Sequence, residues 1–439
     1  MYFFDRNKEF ADNTACIDDS GASFTYRQLW DMGDEAVSGI SEGSLVLMGC
    51  RNDAESLGTY LALLRKGCPV ILMGQKSDVS LVNRMIQTYR PDEVLLMPGE
   101  ISEERGTHRL TEGPALLLST SGSTGAQKLV RLSRENLQSN CDSIVEYLGI
   151  TAEEKPITTL PREYTYGLSV IHSHISVGAT VILTERTLFE KEFWDLVREH
   201  GVTSMAGVPY TYEMLNRLRI TEMDLPALKT LTQAGGHLKP ELQEKMAGWA
   251  ADTGRRFFVM YGQTEATARM SYVPPERCLD KPGSIGIPVP GGRIDLAEDG
   301  EMIYYGKNVS LGYATCEEDL LKGDENHGRL ETGDIAYRDE EGYLYIKGRK
   351  KRFIKLQGKR ISLDELQDVL REELETDNLV CTGRDDEGVT LWIVCEPDKE
   401  RILNIFAEKW DMRSRMVNIR KIDAIPRNAS GKVIYADLK

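Results

Sequence analysis

The 439-residue chain has no uninterrupted apolar run near the ~18–20 residues that a membrane-spanning helix needs. Its opening, MYFFDRNKEF, lacks the basic segment and apolar stretch of a secretory leader. A cytoplasmic protein without stable membrane insertion is expected. Cysteine is sparse: the eight, at 16, 50, 68, 141, 278, 316, 381 and 395, form no CxxC pair or tight cluster. This argues against a disulfide scaffold and predicts mostly buried free thiols. Basic charge is also short, with 54 basic against 69 acidic side chains and a net charge of −15. That balance repels phosphate polymers and excludes nucleic acid as the partner class, yet a single small phosphate ligand needs only a local positive site. Zinc-ligand spacing is missing too. His172 and His174 would share one face of an extended segment, but two histidines with no cysteine or carboxylate at ligand spacing are too few for a closed site. No G-x-S-x-G elbow supports a serine triad.

What is present is an alternation. Between about 44 and 210, short apolar runs (Leu45 to Met48, Pro69 to Met73, Val94 to Met97, Ala115 to Leu118, Val181 to Leu183) are separated by helix-like stretches such as 55–66 and 134–148. This predicts α/β architecture with a largely parallel sheet. Residues 281–350 are rich in glycine and read as a β-rich lobe. From 352 on lies a small α+β unit, where Ser362 with Glu365 three residues later caps a helix over 363–374. The boundary falls at the charged Lys350-Lys351-Arg352, giving a large domain, 1–350, and a small one, 351–439. That basic run also reads as a solvated stretch, above all at Lys350 and Arg352.

The most informative segment starts at a strand and runs through Ser119, Thr120, Ser121, Gly122, Ser123, Thr124 and Gly125 to Lys128. Glycines let backbone N–H groups wrap an oxyanion, hydroxyls add donors, and the lysine adds a point charge. The alternative is an ordinary Ser/Gly surface loop. The spacing is not that of a Walker loop, so a kinase-type or NTPase reading loses its main support.

This loop resembles that of the adenylate-forming superfamily: acyl- and aryl-CoA synthetases, nonribosomal adenylation domains and luciferases. Further segments resemble the family's motifs in the same order. In Phe258 to Glu265, the resemblance assigns Tyr261 to adenine, Gly262 to clearance beside the nucleotide, Thr264 to the α-phosphate and Glu265 to Mg²⁺. Taken alone, Thr264 reads equally as a helix N-cap. In the TGD and GR segments it assigns Asp334 to the ribose hydroxyls and Arg349 to the ribose and phosphate side. Lys351 matches the hinge, and Gly358 lies on the loop that approaches the thiol-bearing pantetheine arm. In Pro426 to Lys432, Lys432 matches the catalytic lysine of adenylate formation; Tyr435 stands where the family often has arginine. Gly306 to Tyr313 matches a secondary pattern. The family's architecture is thus implied: α/β sub-lobes and a β-rich sub-lobe, followed by a small C-terminal domain that rotates about its hinge between two half-reactions.

Leu160 to Leu168 is similar to the acid-pocket segment of the acyl- and aryl-CoA ligases, with Tyr164 where histidine is common. No aspartate is placed to pair a substrate ammonium, so an α-amino acid is disfavoured. By position Tyr164, Tyr166, Gly235, Gly236, His237 and Ala266 wall the pocket, with Gly235 and Gly236 also beside the nucleotide; core packing is the alternative for the tyrosines. The resemblance implies an AMP-forming acid–thiol ligase that uses ATP and Mg²⁺ on a fatty or aryl acid and transfers the acyl group to CoA. One alternative is transfer to the phosphopantetheine of a separate acyl or peptidyl carrier protein. Another is a nucleotide-binding protein that has lost catalysis.

Overall fold

The computed structural model describes residues 1–119, 128–356, 359–385, 387–427 and 433–438. Thr120, Ser121, Gly122, Ser123, Thr124, Gly125, Gly358 and Lys432 lie outside the described residues. The described chain divides into two compact units, one running to Arg293 and resuming over Tyr304–Leu330, the other taking Ile294–Ile303 and the chain from Glu331 on.

In the first unit the alternation read from sequence is realised as two sheets. In one, Val46–Cys50, Val70–Gly74 and Leu116–Ser119 run parallel as neighbours, Glu93–Leu95 extends one edge, and Leu129–Leu132 with Gly312–Ala314 close the other antiparallel. In the other, Pro156–Ile157, Ser204–Gly207, Thr230–Gln233 and Arg256–Tyr261 run parallel, with Ser271–Val273 antiparallel beyond them. The strands are short apolar runs because both faces are covered by helices. Asp53 accepts from the Ser56 amide to start helix Ala54–Lys66, and Gly67 ends it in a left-handed conformation. Ser133 and Asn136 form a reciprocal cap for Arg134–Leu148.

The second unit holds the long strand Arg329–Arg338 from Glu331 on, paired antiparallel with Leu344–Arg349. Beyond it come a ribbon, Phe353–Leu356 with Lys359–Ser362, and a three-stranded sheet of Leu379–Arg384, Gly388–Ile393 and Val417–Lys421. Helices Leu363–Glu373 and Lys399–Trp410 supply Leu366, Leu370 and Phe406 to a core shared with Leu391. Ser362 is the N-cap expected, accepting from the Glu365 amide at 3.2 Å.

Two expectations are corrected. His172 and His174 lie on helix Thr165–Ile175, not on an extended segment, so two residues of separation turn them to different sides. The Tyr60 hydroxyl lies 3.0 Å from His172 Nε2, and His174 Nδ1 lies 2.7 Å from the Val170 carbonyl oxygen. The basic run is not merely solvated either. Lys350 pairs with Asp299 at 2.8 Å and Glu301 at 2.7 Å, and Arg352 pairs with Asp364 and lies over the Tyr435 ring. Six of the eight cysteines are buried and all are free.

Candidate active site

In open α/β sheets, ligands gather at the carboxyl ends of parallel strands. Thr230–Gln233 and Arg256–Tyr261 are such neighbours, and their ends deliver Gly235, Gly236 and Tyr261. Gly235 has φ +85° and lies so close to the Tyr164 hydroxyl that a Cβ there would collide with it. The start of helix Thr165–Ile175 is thereby brought to the same edge. Thr165 and Thr264 place their hydroxyls 3.2 Å apart, while Gln263 donates to the Tyr261 hydroxyl at 3.0 Å.

The chain after Tyr261 makes a tight, unusual turn. Thr264–Ala266 is a single 3₁₀ turn whose N-cap position is Gln263, so Thr264 is not the cap. Thr267 and Ala268 follow with φ of +56° and +117°, conformations that cost free energy outside glycine. Gly262 is required here, because a Cβ would overlap the Ala268 carbonyl oxygen. Asn308 holds the turn from below. It is buried, donates to the carbonyls of Ala266 at 2.8 Å and Arg269 at 3.1 Å, and accepts from the Tyr304 hydroxyl at 2.8 Å. The Ser310 amide donates to the Glu265 carbonyl at 2.8 Å.

Two residues singled out from separate motifs are joined by a third. The Lys128 ammonium sits 3.4 Å from the centre of the Tyr313 ring, and the Tyr313 hydroxyl donates to Glu265 Oε1 at 2.7 Å. The ring face attracts the cation while the hydroxyl orients the carboxylate, so opposite charges are held apart on one rigid spacer. Burial and the Glu265 charge raise the Tyr313 pKa well above the ordinary phenol range. Tyr313 is in turn fixed by Arg131, which is fully buried. Its guanidinium donates to the carbonyls of Tyr313 at 3.2 Å and Leu311 at 3.0 Å and pairs with Glu325 at 2.6 Å. Arg131 does not stand out in sequence, whereas Asn308 falls within the Gly306 to Tyr313 pattern. Tyr313 did carry a signal, as the end of the Gly306 to Tyr313 pattern.

Of the remaining expected residues, Tyr166 is buried, its hydroxyl donating to the Thr232 carbonyl at 2.8 Å. Burial pushes the Tyr164 hydroxyl up to about 12. Ala266 is buried, whereas His237 and Ser119 are exposed. In the second unit, Asp334 and Arg349 face each other across paired strands. Arg349 Nε lies 2.7 Å from Asp334 Oδ1, and the carboxylate is almost fully buried. Thr332 supports it, its hydroxyl donating to the Met302 carbonyl at 2.7 Å and accepting from the Asp334 amide at 3.1 Å. Lys351 is exposed.

Residues 98–314 match the family described as AMP-binding enzyme. The chain is 27% identical to oxalate–CoA ligase of Arabidopsis thaliana, covering 97% of this chain and 95% of that protein. It is 29% identical to indoleacetate–CoA ligase of Aromatoleum aromaticum, covering 74% and 67%. The fold is similar to that of O-succinylbenzoate coenzyme A synthetase from Bacillus subtilis in complex with AMP. That structure superposes with a TM-score of 0.81 at 22% identity, covering 100% of this chain and 97% of that one.

Proposed function

As an adenylate-forming enzyme with the AMP-binding domain of the AMP-forming CoA ligases, the chain joins a carboxylic acid to CoA through an acyl-adenylate, and we propose how its residues divide that work. The first half-reaction is attack of the acid's carboxylate on the α-phosphate of ATP, releasing pyrophosphate. In the second, the CoA thiol displaces AMP. The observation that carries the assignment is the Lys128–Tyr313–Glu265 constellation, a cation and an anion held in place beside the turn that bears Thr264.

In this reading Lys128 and the loop Ser119 to Gly125 take the polyphosphate and Thr264 the α-phosphate. Tyr261 stacks on the adenine with Gly235, Gly236 and Gly262 giving backbone clearance. Glu265 fits Mg²⁺, a hard cation that prefers carboxylate oxygen, and Tyr313 orients it for that purpose. The cation supplies charge neutralisation on the phosphates. Asp334, aimed by Arg349, suits a vicinal diol, whose two hydroxyls can both donate to one carboxylate. Lys432 serves adenylate formation, Gly358 the thiol step, and Lys351 the hinge, with the small domain counted from 351. The acid lies against Tyr164, Tyr166, Gly235 and Ala266, His237 standing at the rim.

The relatives are named as CoA ligases, which favours CoA over a carrier protein as acceptor. Among the described residues no helix is long and apolar enough to cross a membrane, and we place the enzyme in the cytoplasm. The test is acid-dependent ATP–pyrophosphate exchange across fatty and aryl acids, followed by thioester formation with CoA. Exchange with no acid would overturn ligation; exchange without transfer to CoA would revive the carrier protein.

A further inference from the structure

Tyr313 aims Glu265, and the residue just before it, Thr264, has a comparable neighbour. Thr165 Oγ1 lies 3.2 Å from Thr264 Oγ1 across 99 residues of sequence. Neither hydroxyl has another hydrogen-bond partner among the described residues. Both ends of this contact are held. Thr165 is the first residue of helix Thr165–Ile175, where a branched side chain is confined to two rotamers. Tyr164 before it is packed onto the Gly235 backbone. Thr264 stands in a 3₁₀ turn anchored from below: the Thr267 hydroxyl donates to the Asn308 carbonyl at 2.6 Å, and the Asn308 side-chain amide donates to the Ala266 carbonyl at 2.8 Å.

Distance alone would let either hydroxyl donate; burial decides between them. Thr165 is 6% exposed, whereas Thr264 is half-buried. If Thr264 donated, the Thr165 proton would be left buried without an acceptor, and such a group carries its full desolvation penalty. If Thr165 donates, the proton left over belongs to Thr264, the residue that solvent or a ligand can reach. A hydroxyl that accepts one hydrogen bond is also polarised to donate the next one more strongly.

We propose that Thr165 is a positioning residue for adenylate formation: its hydroxyl donates to Thr264 Oγ1 and so turns the Thr264 proton toward the α-phosphate oxygen. This rests on the reading in which Thr264 takes that phosphate. Thr165 stands between Tyr164 and Tyr166, the two tyrosines assigned to the acid. The segment that walls the acid therefore also sets the donor that meets the nucleotide, and both substrates are referred to one rigid helix start.

The experiment compares AMP with adenosine, which differ by the α-phosphate, in calorimetric titrations of the full chain. The wild type should bind AMP more tightly. Thr165→Val keeps the shape and removes the hydroxyl; it should lower the AMP-to-adenosine affinity ratio about three- to tenfold, with adenosine affinity and the urea midpoint unchanged. Thr165→Ser should keep most of the ratio. Thr264→Val should lower it at least as far, and adding Thr165→Val to that variant should change nothing more, because the positioned group is already gone. A wild-type ratio in Thr165→Val beside a lowered one in Thr264→Val overturns this inference and leaves the ligase reading intact. So does a double variant in which the two losses multiply, or an equal loss of affinity for both ligands in Thr165→Val. A wild type that does not distinguish AMP from adenosine, or a Thr264→Val variant with the wild-type ratio, overturns the Thr264 assignment as well. If Thr165→Val does not fold, Thr165→Ala takes its place in the same cycle.

Discussion

Removing one oxygen atom, in Tyr313→Phe, isolates the element that joins the two charged residues. The ring that carries Lys128 remains; only the 2.7 Å hydrogen bond to Glu265 is lost. A hydrogen bond to a charged group contributes about 1.5–3 kcal/mol. At a half-buried position the lower part of that range applies. If the bond serves to aim Glu265 at the metal-bound nucleotide, nearly all of it is lost from the transition state, and 1.4 kcal/mol is tenfold. Pyrophosphate exchange should therefore fall about ten- to thirtyfold in kcat/KM for MgATP, with more Mg²⁺ needed for half-maximal rate. Tyr313→Leu also removes the cation–π contact, about 0.5–1 kcal/mol where solvent reaches it, and should lose a further two- to fivefold through the KM for ATP. Urea midpoints separate this from unfolding. A Phe variant with wild-type Mg²⁺ dependence and kcat/KM within about twofold would refute the orienting role.

Three further outcomes are expected. Lys432→Ala should abolish adenylate formation but leave thioester formation from a supplied acyl-adenylate; equal loss of both half-reactions would contradict the division of labour. Gly262→Ala should destabilise the fold by about 1–3 kcal/mol, because the new Cβ meets the Ala268 carbonyl, and an unchanged melting temperature would show that the turn yields freely. Burial lowers His172 from 6.5 to about 3 and His174 to about 4. Both are neutral when folded and charged when unfolded below pH 6.5, so stability is full above 6.5 and falls as the pH drops toward 4, by about 2 kcal/mol for each at pH 5. His174→Gln should lose less stability than the wild type between pH 7.5 and pH 5 in urea titrations; an identical loss would argue against the burial effect.

What could be read from sequence divides by distance along the chain. The Ser362–Glu365 cap, the helix read over 55–66 and found as Ala54–Lys66, and the apolar strands are local, so pattern alone reached them. The split into two sheets was not local. Strands from either family look alike in sequence, and only pairing decides which sheet takes them. Helix Thr165–Ile175 misled for a related reason: every residue in it is buried, so no polar face marks a helical period around His172 and His174. The basic run misled because two of its anionic partners, Asp299 and Glu301, lie far upstream.

The same limit governs the site, and it explains which residues were missed. Motifs name the groups proposed to meet the nucleotide, because their spacing is set within one loop. The groups that aim them come from elsewhere: Arg131 is 182 residues from Tyr313, whose carbonyl it binds, and Tyr313 is 48 from Glu265. Each link is a one-to-one contact with no sequence rhythm of its own. Arg131 holds the strand, the strand presents Tyr313, and Tyr313 sets Lys128 over its ring face and Glu265 at its hydroxyl.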